Sequence, residues 1–164
     1  HKGYEIQRPR LGEFRDAWRD ASGSDYGEED PAYGKAMAQI LGRFTPEGKT
    51  AVLIVPTLEL RNAPAGNRGA KYDGVYRSFK LKGLPENFIG NMGGSLLPAV
   101  SLRARVFDAT GRLLHDGYGG VDLTTFPQVD FDQMRFYMLD RDPFEDPKNI
   151  AEASRVALHP FVRK

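Results

Sequence analysis

One pattern, in residues 96–115, restricts the fold more than any other in this chain. Leu102, Ala104 and Val106 alternate with Ser101, Arg103 and Arg105. Asp108-Ala109-Thr110-Gly111 interrupts, and Arg112-Leu113-Leu114-His115 returns. A two-residue period on both sides of a four-residue turn ending in glycine predicts a β-hairpin. The middle of the chain is thereby tied to antiparallel pairing.

Other strands are expected around it. Ala51-Val52-Leu53-Ile54-Val55 is a continuous apolar run, which suits a strand buried on both faces. Pro56 then predicts an edge position or a bulge, and Leu58-Glu59-Leu60-Arg61 alternates as if one face opens. Residues 75–81 alternate again, after an Asp73-Gly74 step that predicts a tight turn or a bulge. Residues 133–139 predict one more strand. Gly3-Tyr4-Glu5-Ile6 predicts a short opening strand stopped by Pro9. Residues 62–69 and 83–95, rich in Gly and Pro, predict loops.

Helices are expected at both ends. Leu11, Phe14 and Trp18 share one helical face, as do Tyr33, Met37, Ile40, Leu41 and Phe44. Asp30-Pro31 and Asp146-Pro147 each place a capping carboxylate before a proline at the first helical position. The last helix turns Ile150, Ala153, Ala157 and Leu158 inward and stops at Pro160. The expected order is β-α-α-β-β-β-β-β-α. The expected fold class is α/β or α+β: a single mixed, largely antiparallel sheet covered by two or three helices. At 164 residues, the chain is expected to be one domain, 1–164.

Composition removes several functions. Twenty-three basic against 22 acidic residues leave a net charge of +1, without the basic excess of a dedicated nucleic-acid binder. No apolar run is long enough to span a membrane. With no cysteine there is no disulfide, no catalytic thiol and no thiolate metal site. The chain opens at His1 without methionine, which reads as a processed or trimmed form.

Catalytic patterns are sparse. His1, His115 and His159 are the only histidines, and none has a metal-binding partner at helical spacing. Ser24 and Ser95 lack the glycine frame and strand-to-helix context of a nucleophile elbow. The loop Gly90-Asn91-Met92-Gly93-Gly94 precedes a strand and holds no cation, unlike a phosphate loop. The acidic stretch 25–30 lacks calcium-loop spacing, and the stretch 140–146 reads as a solvated loop with a helix cap. No metal and no cofactor is expected.

Two segments deserve comparison with chemistry. In Asp116-Gly117-Tyr118-Gly119-Gly120-Val121-Asp122, the glycines invite a bulge or close approach by another backbone, which would display Tyr118. Asp116 and Asp122 would be paired carboxylates if they met. A turn-rich structural segment is the plainer reading. Arg77, Lys80, Lys82, Arg103 and Arg105, interleaved with Tyr72, Tyr76 and Phe79, would form a basic patch across neighbouring strands. A charged, solvated sheet face accounts for the same residues.

Three stretches together carry a family resemblance: Val52-Leu53-Ile54-Val55-Pro56-Thr57-Leu58 with Tyr72-Asp73-Gly74-Val75-Tyr76-Arg77; Val100 to Asp108 with Leu113-Leu114-His115-Asp116-Gly117-Tyr118-Gly119-Gly120; and Val156-Ala157-Leu158 running into Pro160-Phe161. Over about residues 36–162 the chain resembles exported lipoproteins of Gram-negative bacteria. It is distantly similar to the amino-terminal domain of TolB and to the curli-secretion and penicillin-binding-protein-activator lipoproteins. The resemblance implies a sheet covered by helices, a periplasmic or outer-membrane-associated location, and a non-enzymatic role in envelope assembly or scaffolding. It also implies an upstream lipid anchor, although the lipidated cysteine is absent from this sequence.

The functional expectation is therefore a non-enzymatic domain that binds an envelope protein or polymer. Tyr72, Arg77, Asp116, Tyr118 and Asp122 are its candidate binding residues. The alternatives are a small carboxylate-dependent hydrolase using Asp116 or Asp122, and a small-ligand or nucleic-acid module on the basic strand face.

Overall fold

The computed structural model describes residues 9–21, 31–47, 50–66, 68–78, 94–130, 135–159 and 161. In chain order the elements are α1 (Leu11–Asp20), α2 (Pro31–Phe44), β1 (Leu53–Pro64), β2 (Gly69–Tyr72), β3 (Val75–Ser78), β4 (Leu96–Phe107), β5 (Leu113–Leu123), β6 (Thr125–Asp130), β7 (Arg135–Asp140) and α3 (Pro147–Ala157). The fold is α+β. The long strands form an antiparallel sheet in the order β1-β4-β5, while β2 pairs with β3 and β6 with β7. The opening strand expected at 3–6 lies outside the described residues.

The chain divides into two compact units, one of His1–Val55 with Arg105–His115, the other of Pro56–Ala104 with Asp116–Lys164. In the first, the helical stripes meet as their spacing requires. Ala17 of α1, Ala21 at its C-cap, and Tyr33, Ala36, Met37 and Ile40 of α2 bury together with Phe107, and Phe14, Trp18, Phe44, Leu53 and Val55 pack around them. Trp18 meets Tyr33 edge-on at 6.0 Å between ring centres, a favoured aromatic geometry. The hairpin turn is organised by Asp108. Its carboxylate accepts the Thr110 hydroxyl at 2.6 Å and the Thr110 and Arg112 backbone N–H groups at 2.9 and 3.1 Å. Gly111 closes the turn at φ +80°, and a Cβ there would lie 1.8 Å from the Gly34 carbonyl oxygen of α2.

In the second unit, Asp73 and Gly74 connect β2 to β3 with φ of 41° and 77°. Tyr72 pairs directly with Val75, so the connection is a two-residue turn of the type that needs two left-handed residues. The core gathers Ala63, Ala65, Ala70, Tyr72, Val75, Leu97, Ala99 and Leu123. Helix α3 starts where the sequence expects, with the Asp146 carboxylate accepting the Lys148 N–H at 2.9 Å. Ala153 and Ala157 bury, whereas Ile150 stays exposed. A Cβ on Gly119 would lie 2.0 Å from the Ala153 carbonyl oxygen. The absence of a side chain there is what lets α3 approach β5.

Several sequence expectations need correcting. Residues 62–69 were expected as a loop, but β1 continues to Pro64 and β2 begins at Gly69. The glycine-rich segment 116–122 is not turn-rich, because it lies inside β5. The run 51–55 is not buried on both faces. Leu53 and Val55 pack inward, while Val52 and Ile54 are exposed. Along β1 the alternation then inverts the usual rule. Leu58 and Leu60 face solvent, at 58% and 78% exposure, and the polar Glu59 is half-buried between them.

Candidate functional site: a polar sheet face

The candidate site lies within the second unit. Residues two apart on a strand project to the same side. Glu59 and Arg61 on β1, Ser101 and Arg103 on β4, and Asp116 and Tyr118 on β5 are three such pairs on hydrogen-bonded neighbours. Arg103 is the hub. Its Nε and Nη2 donate to the two carboxylate oxygens of Asp116 at 2.8 and 2.6 Å, and Nη1 donates to Glu59 Oε1 at 3.2 Å. A two-pronged arginine–carboxylate pair fixes both orientation and position.

Tyr118 lies beside both guanidinium groups. Its ring centre is 4.6 Å from the Arg61 guanidinium carbon and 5.4 Å from that of Arg103, within cation–π range. Partial burial pushes the Tyr118 phenol above its ordinary value, against the pull of the Arg103 charge. The hydroxyl therefore remains a proton donor at neutral pH. The tight turn supplies Asp73, whose Oδ2 accepts the Ser101 hydroxyl at 2.6 Å and lies 3.4 Å from Arg61 Nε. The assembly offers guanidinium edges, carboxylate oxygens and a phenol in fixed positions. Those are the groups of a recognition surface.

The five sequence candidates separate into two sets. Asp116 and Tyr118 join this face. Tyr72, Arg77 and Asp122 are buried instead, which corrects the expectation that Tyr72 and Arg77 help form a contact surface. Tyr72 sits in the core, and burial raises its phenol well above the ordinary range, opposed by the nearby Arg77 charge. Arg77 donates to the backbone carbonyls of Gly120 at 2.9 Å and Val121 at 2.8 Å, and to Glu152 at 2.7 Å. Asp122 accepts the Leu123 N–H and the Asn149 amide, each at 2.8 Å, and pairs with Arg141 at 3.1 Å. These two charged groups fasten β5 to β3, to α3 and to the segment after β7.

The same placements bear on the alternative chemistries. Asp116 and Asp122 are six residues apart on one strand, about 20 Å of extended chain, and each has its own cationic partner. They do not form a carboxylate pair. The basic patch loses Arg77 and Arg105 to burial, with Arg105 lying 5.4 Å from the Tyr33 ring centre, and Lys80 and Lys82 lie outside the described residues. Among the described residues no group of three or more His, Asp or Glu is placed to hold a metal ion. No described helix is long and apolar enough to cross a membrane.

Glu59, Arg61, Ser101 and Asp73 were not singled out from sequence as site residues. For Glu59, Arg61 and Ser101 the signal was present as polar residues two apart on predicted strands; Asp73 was visible only as part of the turn. Comparisons with protein-family models, curated proteins and solved structures found no match.

Proposed function

We propose that this chain is a non-enzymatic binding domain of the bacterial cell envelope, with the Arg61–Tyr118 face as its contact surface and another envelope protein as its partner. The observation that carries the reading is the fixed placement of Tyr118 against two guanidinium groups, one of them clamped by Asp116 and Glu59. Tyrosine and arginine are enriched among the residues that dominate protein interfaces. Holding them in place before contact lowers the ordering cost of association. The envelope location is supported by the resemblance of the quoted strands to exported lipoproteins.

The test is recovery of partners from envelope extract with the purified chain and with an Arg61→Ala, Tyr118→Ala variant. The expected result is an envelope protein retained by the wild type and lost by the variant. Equal recovery by both would move the contact surface elsewhere. Recovery of nothing from envelope extract would remove the envelope-binding reading.

A further inference from the structure

We infer that the Arg61 corner of this face receives a carboxylate, presented by an acidic and partly apolar segment of the partner protein. The inference rests on the binding reading above and names the chemistry of what is bound.

Arg61 is the less engaged of the two guanidinium groups. Arg103 is held at 2.6, 2.8 and 3.2 Å by two carboxylates. Among the described residues, the ion contact of Arg61 is through Nε, at 3.4 Å to Asp73 Oδ2. A charge-assisted bond of this kind is usually about 2.8 Å long. The same Asp73 oxygen also accepts the Ser101 hydroxyl at 2.6 Å, so it is shared between the two donors. The terminal nitrogens of Arg61 carry the fork that pairs with carboxylates, and its side chain is 42% exposed. The Tyr118 ring supports the guanidinium at 4.6 Å. Asp116 and Glu59 are committed to Arg103, so neither neutralises Arg61 by contact.

The neighbours of Arg61 on β1 favour a polypeptide over an anionic glycan. Leu58 and Leu60 are exposed on the other face of the strand. Among the described residues β1 is the outer member of its sheet, so one extended segment reaches both faces. A segment that places a carboxylate on Arg61 and apolar side chains on Leu58 and Leu60 satisfies both sets of groups.

The experiment measures binding of three labelled peptides to the full chain: alternating Glu and Leu, alternating Gln and Leu, and alternating Lys and Leu. Oligogalacturonate serves as a glycan competitor. The Glu peptide is expected to bind best, to weaken as salt rises, and to lose about tenfold with Arg61→Gln, roughly one charged contact. Arg112→Gln, an exposed arginine in the β4–β5 turn, is expected to leave binding unchanged. Equal binding of the Gln peptide, no effect of Arg61→Gln, or displacement of the Glu peptide by oligogalacturonate at lower concentration than by unlabelled peptide would each overturn the inference. If an envelope partner is lost on Arg61→Ala, Tyr118→Ala while the Glu and Gln peptides bind alike, the carboxylate inference fails and the binding face stands.

Discussion

Arg103 grips Asp116 at both ends of its guanidinium, with Nε at 2.8 Å from one carboxylate oxygen and Nη2 at 2.6 Å from the other. Both side chains are partly open to solvent, which limits the pair to about 1 kcal/mol of coupling. A double-mutant cycle of Arg103→Ala and Asp116→Ala in urea is expected to return that value. Arg103→Lys should recover little of it, because an ammonium cannot span both oxygens. A coupling energy of zero would mean that the two side chains do not hold each other in solution.

Arg77 is a different case, because its partners are backbone. Replacement by Met leaves the Gly120 and Val121 carbonyls without their side-chain donor and Glu152 without its cation. The expected cost is about 3 kcal/mol, read as a lower urea midpoint at unchanged slope. A loss below about 0.5 kcal/mol would place Arg77 in solvent.

Two glycine substitutions should act in opposite directions. Gly119→Ala puts a methyl 2.0 Å from the Ala153 carbonyl oxygen, where helix backbone cannot yield cheaply. A loss of about 2 kcal/mol is expected. Gly42 lies exposed within α2 and has nothing within 4 Å of the added carbon. Gly42→Ala should stabilise by about 1 kcal/mol through helix propensity. Thermal denaturation of the two variants beside the wild type checks both signs at once.

The Asp108 turn predicts a pH dependence. Hydrogen bonds, first from the Thr110 hydroxyl, hold its carboxyl below the ordinary value. A depressed folded-state pKa contributes stability that is present above the unfolded value, near 3.9, and is lost as pH falls through the folded one. Asp108→Asn should therefore melt below the wild type at pH 7, and the gap should close under strongly acidic conditions. A gap that persists unchanged to low pH would assign the effect to something other than the carboxylate charge.

How much of this was legible in the sequence depended on range. The hairpin around Asp108 and the stripe of α2 are local patterns, and they read directly; of the α3 stripe Ala153 and Ala157 bury as expected, while Ile150 does not. The Asp73-Gly74 step narrowed its place to a tight turn or a bulge, because few residues accept left-handed backbone, and the pairing of Tyr72 with Val75 makes it the turn. The fates of Arg77 and Asp122 are set by partners up to 75 residues away, and no spacing rule reveals which charged residue a distant carbonyl will capture. β1 was legible only in part for another reason. Its alternation was visible, but alternation alone does not say which row meets solvent, and here it is the row of Leu58 and Leu60. The candidate face was legible only in fragments, one polar pair per strand. Strand order turns those pairs into a surface.

The prolines of β1 bear on a hazard of that exposed row. The Ala65 N–H bonds to the Ser95 carbonyl. In an extended strand N–H groups alternate sides, so those of even-numbered residues point away from β4. Pro56 and Pro64 are even-numbered and carry no N–H at all. An outer strand with leucines in the open is a template on which further chains pair and grow into fibrils. Two missing donors on its outward edge break any such ladder at both ends of residues 57–63. The row can then stay sticky toward side chains of a visiting partner while the backbone declines to be extended.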